Sequence, residues 1–99
     1  MNTARETAQS HVHVDNDQVR VSEWRFAPGA ATGFHTHEYD YVIVALGEGR
    51  LRLIDAEGKE TETSLTTGQS YFRKAGVQHD VINATDGPFA FVEIELKPS

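Results

Sequence analysis

Three of the five histidines in this 99-residue chain have a spacing that could hold a metal ion. The stretch from Gly33 to Gly49, GFHTHEYDYVIVALGEG, carries His35 and His37 two apart and Asp40 three residues later. In an extended strand, side chains at i and i+2 share a face, so His35 and His37 point the same way with α-carbons about 6.6–7 Å apart. Two imidazoles so placed can converge on one ion about 2 Å from each nitrogen. An acidic side chain just past a turn can add a hard oxygen ligand, the start of a two-histidine, one-carboxylate set. A histidine pair on a strand is common by itself, so a second histidine stretch has to join it.

Gly68 to Asn83, GQSYFRKAGVQHDVIN, is such a stretch, with His79 after a glycine-marked turn and Asn83 four residues on. Two histidine-bearing strands, each preceded by a glycine turn and separated by a hairpin, can face each other across a small barrel. This groups His35, His37, Asp40 and His79. His11 and His13 form another His-x-His, but no partner stretch accompanies them and they read as a solvated edge-strand pair. Asn83 reads as a structural hydrogen-bonding residue, and Tyr39, Tyr41 and Tyr71 as core. Arg50, Arg52 and Arg73 lie on strands; a guanidinium aimed inward could hold a substrate carboxylate bidentately, although most strand arginines face water.

The elements that must position these residues are strands. Val19–Phe26 (VRVSEWRF) has an apolar face that changes from Val19 and Val21 to Trp24 and Phe26, which predicts a bulge or a strand apolar on both sides. Asp40–Leu46 is nearly continuous in apolar residues and predicts burial on both faces. Residues 11–14, 34–37, 50–54, 60–65, 70–73, 79–83 and 89–96 supply further strands, separated by turn clusters such as Asp15-Asn16-Asp17 and Pro28-Gly29. The Glu60–Leu65 strand alternates Thr and Glu and predicts a solvated face. No window carries a helical stripe. Short strands at this spacing predict an all-β fold, a sandwich or a barrel closed like a jelly roll.

Ninety-nine residues make a single small domain, read as a flexible arm over residues 1–10 and one β-barrel domain over 11–99. The net charge of −6, with scattered Lys and Arg, argues against nucleic acid as a partner. The longest apolar run, Tyr41 to Leu46, falls far short of the ~20 residues a membrane helix needs. Without cysteine, disulfides, thiolate metal sites and cysteine nucleophiles are excluded together. The polar N-terminus has no secretory pattern, and the expected location is the cytoplasm.

The two stretches resemble the paired motifs of the cupin family. The first, G-x5-H-x-H-x3,4-E-x6-G, is matched by Gly29, His35, His37, Asp40 and Gly47. The second, G-x5-P-x-G-x2-H-x3-N, is matched by Gly68, Lys74, Gly76, His79 and Asn83. Two positions depart: Asp40 stands for the motif Glu and one residue closer to His37, and Lys74 stands for the motif Pro. The wider pattern is similar to small single-domain cupins of the β-alanine-degradation type. The resemblance implies a cupin jelly-roll barrel and one divalent transition metal ion (Fe, Mn, Ni, Cu or Zn) on His35, His37 and His79, with Asp40 as the acidic candidate. It also implies a homodimer. Such a site would draw a small anionic organic ligand and suit a metal-dependent enzyme, dioxygenase-like or a lyase or isomerase, acting on a small carboxylate or keto compound. The alternative is a non-catalytic small-molecule-binding or accessory module.

Overall fold

The computed structural model describes residues 5–98. Among these the chain forms nine strands: β1 (Gln9–Asp15), β2 (Val19–Phe26), β3 (His35–Thr36), β4 (Asp40–Ala45), β5 (Gly49–Asp55), β6 (Glu60–Leu65), β7 (Ser70–Arg73), β8 (Gln78–Asn83) and β9 (Phe89–Leu96). They make two facing sheets, one in the order β1-β2-β9-β4-β7 and one in the order β3-β8-β5-β6. This is the jelly-roll arrangement. Among the described residues no helix is long and apolar enough to cross a membrane.

The core lies between the sheets. Phe26, Tyr41, Ile43, Leu51, Leu65, Phe89 and Phe91 are all buried there. Period-2 alternation places Tyr41, Ile43 and Ala45 of β4 inward, while Val42 and Val44 face out and stay half-buried. The continuous apolar run therefore does not have two covered faces. Its second face lies on the outside of the five-stranded sheet, which no other element among the described residues covers.

Strand β2 resolves its change of face without a bulge. It pairs with β9 in unbroken register from Val19↔Leu96 to Phe26↔Phe89. Val19 and Val21 point outward and Trp24 and Phe26 inward, a strand apolar on both sides. The register irregularity sits instead in β1, between Val12 and Val14.

The segment expected as an N-terminal arm, residues 1–10, is described in part. Its first four residues lie outside the described residues. Beyond them, Ala8 N donates to Ala31 O and Ala31 N to Glu6 O at 2.8 and 2.9 Å, and Ala8 joins the core. A small apolar side chain at residue 8 gives this segment something to bury.

Two polar devices hold the connections. Asn83 is almost fully buried; its Nδ2 donates to Gly87 O at 2.9 Å and lies 3.3 Å from both Phe26 O and Ala27 O, while its Oδ1 accepts from Thr85 N at 2.8 Å. It thus serves carbonyls of the β2 end and the β8–β9 loop, the structural role its sequence position suggests. Gly49 opens β5 where a Cβ would lie 2.5 Å from Thr85 Oγ1 and 2.6 Å from the Phe89 ring. Only a residue without a side chain allows that approach.

Candidate metal centre

His35 and His79 are direct cross-strand partners on β3 and β8. His37 follows just past β3; its N–H donates to Val77 O and its carbonyl accepts from Gly76 N, at 2.9 and 2.8 Å. Gly76 sits at φ 97°, a left-handed conformation that favours glycine, so the turn before β8 can fold back onto His37. Gly33, at φ 87°, makes the matching turn before His35.

These turns bring the three imidazoles together. His37 Nε2 lies 3.0 Å from His35 Nε2 and 3.0 Å from His79 Nε2. The ligand atoms of the three residues all lie within 4.8 Å of one another. A separation of 3.0 Å is what two nitrogens show when they meet at right angles on an ion about 2.1 Å from each. The donor chemistry fits too. His35 Nδ1 is 2.8 Å from Gly33 O, and a carbonyl only accepts, so the His35 proton sits on Nδ1 and Nε2 is bare. Burial, and then the neighbouring histidines, pushes His37 down to about 4 and His79 down to about 3, so both are neutral at physiological pH, as ligands must be. His37 also stacks on Tyr41 with ring centroids 3.9 Å apart, which fixes its plane. The set could hold a divalent metal ion.

Asp40 is not brought to this set. Its Oδ1 accepts the Ala75 N–H at 2.8 Å, tying the start of β4 to the β7–β8 turn. The short side chain, one residue nearer His37 than the motif carboxylate, faces that turn instead. The decoy pair on β1 stays apart as well: its residues are exposed, with His13 Nε2 3.0 Å from Glu23.

The imidazoles line a cavity of about 480 Å³, walled by Trp24, Tyr41, Tyr71, Phe91 and Glu93. Glu93 escaped the sequence reading. It is buried, with Oε1 3.3 Å from Trp24 Nε1 and Oε2 3.6 Å from His37 Nδ1. Burial, reinforced by Glu95, pushes its carboxyl up to about 7. The arginine on the wall is Arg20, held bidentately by Glu95 at 2.7 and 2.8 Å. The three arginines weighed from sequence lie elsewhere: Arg50 donates to Ala84 O, Arg52 reaches Glu60 and Glu62, and Arg73 packs over the Tyr71 ring. The usable signal was the period of β9. Phe89 and Phe91 must face the core, so Glu93 and Glu95 share their face.

Comparison with known proteins agrees with this geometry. Residues 22–95 match the model of the Cupin_2 family, described as a cupin domain. The chain is 53% identical over 95 residues to the "Beta-alanine degradation protein BauB" of Pseudomonas aeruginosa, covering 96% of this chain and 99% of that protein. Among solved structures, a cupin domain from Bordetella pertussis superposes with a TM-score of 0.93 at 47% identity, covering 98% of this chain and all of that one. A protein with a double-stranded β-helix domain from Klebsiella pneumoniae shares the fold at a TM-score of 0.76 and 21% identity, over 96% of this chain and 81% of that one. The two histidine motifs meet on paired neighbouring strands of one sheet, β3 and β8, rather than across the barrel, and the chain belongs to the cupin family.

Proposed function

We propose that this cupin is a metal-dependent enzyme acting on a small carboxylate or keto compound in catabolism. The observation that carries this is the convergence of three imidazoles on one point of a 480 Å³ cavity. The likeness to a protein named for β-alanine degradation supports a catabolic setting. A divalent ion held there would act as a Lewis acid on a bound oxygen, lower the pKa of bound water, or, as iron, engage oxygen.

The chain's own residues do the rest. His35, His37 and His79 would hold the ion through Nε2, with His35 keeping its proton on Nδ1 against Gly33 O. Tyr41 holds the His37 plane. Trp24, Tyr71 and Phe91 give the cavity an apolar wall that strips water from a ligand. Without a carboxylate ligand, the ion keeps both of its positive charges and attracts a small anion more strongly than a site with one acid would. A second reading, a module that holds its ligand without turnover, is favoured by one feature: the wall's Arg20 is already committed to Glu95.

Elemental analysis of the untagged protein beside His79→Ala tests the metal. Near-stoichiometric transition metal, lost in the variant, is the expected result; none, even after reconstitution, refutes the proposal. Oxygen-consumption and product assays with keto acids, amino-acid degradation intermediates and thiols then separate the two readings, since any turnover ends the second.

A further inference from the structure

We propose that Glu93 is a positioning residue for the metal, holding His37 in the tautomer that presents Nε2 to the ion. This rests on the metal-site reading above. An imidazole ligates through a bare nitrogen, so when Nε2 of His37 points at the ion its proton must sit on Nδ1. For His35 the backbone enforces that choice, because Nδ1 faces Gly33 O. His37 has no carbonyl in that place. Its Nδ1 faces Glu93 Oε2 at 3.6 Å.

The surroundings commit Glu93 to this partner. Its other oxygen accepts from Trp24 Nε1 at 3.3 Å, which orients the carboxylate. Arg20, two residues along the neighbouring strand, is taken by both oxygens of Glu95 and makes no ion pair with Glu93, on which it acts only through space. The Tyr41 stack keeps the His37 ring in plane, with Nδ1 3.6 Å from the carboxylate. A buried carboxylate without a cation of its own is costly. Charge from the ion, relayed through His37, would compensate it. An outer carboxylate on a metal-bound histidine raises the ligand's basicity and fixes its orientation, and its loss typically weakens metal affinity about 10–100-fold. Asp40, the acid that the motif places at the ion, acts on the Ala75 backbone, while Glu93 acts on the ion from a different strand through a ligand.

If Glu93 were only an acceptor for Trp24, its loss would lower the stability of the metal-free fold and leave the affinity of folded protein alone. Glu93→Gln keeps the size and removes the charge. Cobalt(II) titration of the metal-free chain, followed by visible absorption, reads affinity and coordination together. The expected result is a 10- to 100-fold weaker Co(II) affinity in Glu93→Gln with an altered spectrum, and a metal-free melting temperature no lower than wild type. Glu93→Asp, which keeps the charge one methylene short, should recover part of the loss. A Glu93→Gln chain that binds Co(II) within two-fold of wild type with an unchanged spectrum overturns the inference while leaving the metal site standing. A wild-type chain that takes up no Co(II) overturns both.

Discussion

Asp40→Ala separates what the motif implies from what the structure shows. The carboxylate makes one hydrogen bond, to the Ala75 N–H at 2.8 Å, in a partly exposed position where water can replace it. Such a bond contributes about 1 kcal/mol. In a domain of this size 1 kcal/mol moves the melting temperature by about 4–8 °C, so the metal-free variant should melt lower by about that much. Metal binding adds stability on top. An ion at about 100 times its dissociation constant stabilises the folded state by about 2.7 kcal/mol, which raises the melting temperature by about 10–20 °C. Because Asp40 stands apart from the three imidazoles, that increment should be the same in wild type and Asp40→Ala, although both variant curves start lower. In His79→Ala the increment should vanish. Thermal melts of the metal-free and metal-loaded proteins measure all four quantities. If the increment collapsed in Asp40→Ala while its metal-free melting point stayed at the wild-type value, Asp40 would be a ligand and the three-histidine centre would be wrong.

Three further outcomes are expected. Asn83→Ala should cost about 2–4 kcal/mol, read from urea midpoints, because it strands buried carbonyls at Phe26, Ala27 and Gly87; a loss under about 0.5 kcal/mol would contradict that role. Burial lowers His37 to about 4 and His79 to about 3, against 6.5 for the free side chain, so below pH 6.5 the unfolded chain binds more protons and the metal-free fold must weaken as pH falls towards 4. Between pH 6.5 and 5 this would be about 1.6 kcal/mol per histidine, while Glu93, pushed up to about 7 from 4.5, takes up its proton in the folded state over the same window and offsets about one histidine; the net loss is on the order of 1 kcal/mol, and urea midpoints that match at pH 7 and pH 5 would refute it. Finally, Val14, Val21, Ile94, Val42 and Phe72 are successive cross-strand partners, an apolar row on the outer face of all five strands, with Val14 41% and Phe72 51% exposed. A row of this kind is self-complementary about a two-fold axis, and we propose that it pairs two copies; light scattering at micromolar concentration should give a dimer in wild type and a monomer in Ile94→Glu, and a wild-type monomer sinks the proposal.

Most of the fold was legible because turns and alternation carry it. The strands expected at 19–26, 60–65, 70–73 and 89–96 occur with those bounds, and the exposed alternation of β6 does face solvent. The histidine set was legible for a similar reason: His-x-His on extended backbone and a glycine turn before His79 leave little freedom in where the rings point. What could not be read was register. Asp40 looked like a ligand because spacing along the chain says how far a side chain is from its neighbours, and not which N–H lies across from it. That Ala75 would be the group opposite depends on how β4 and β7 pair. Arg20 was passed over in favour of Arg50, Arg52 and Arg73 because inward and outward positions on a two-sided strand are indistinguishable until its neighbour is known.

The β2–β9 register explains how so small a barrel holds both a core and a site. Reading inward-facing partners from one end, Phe26 meets Phe89 and Trp24 meets Phe91; then Ser22 meets Glu93 and Arg20 meets Glu95. Apolar faces apolar, then polar faces polar, with the changeover between Trp24 and Ser22 on one strand and between Phe91 and Glu93 on the other. A shift of two residues would put Trp24 opposite Glu93 and leave Arg20 past the end of its partner, so register and polarity enforce each other. The same division sets the location of the cavity. Below the changeover, aromatic rings fill the space between the sheets. Above it, carboxylates and imidazoles cannot close on one another without leaving charge unsolvated, so the barrel stays open. The apolar half carries the stability, and the polar half is left free to bind.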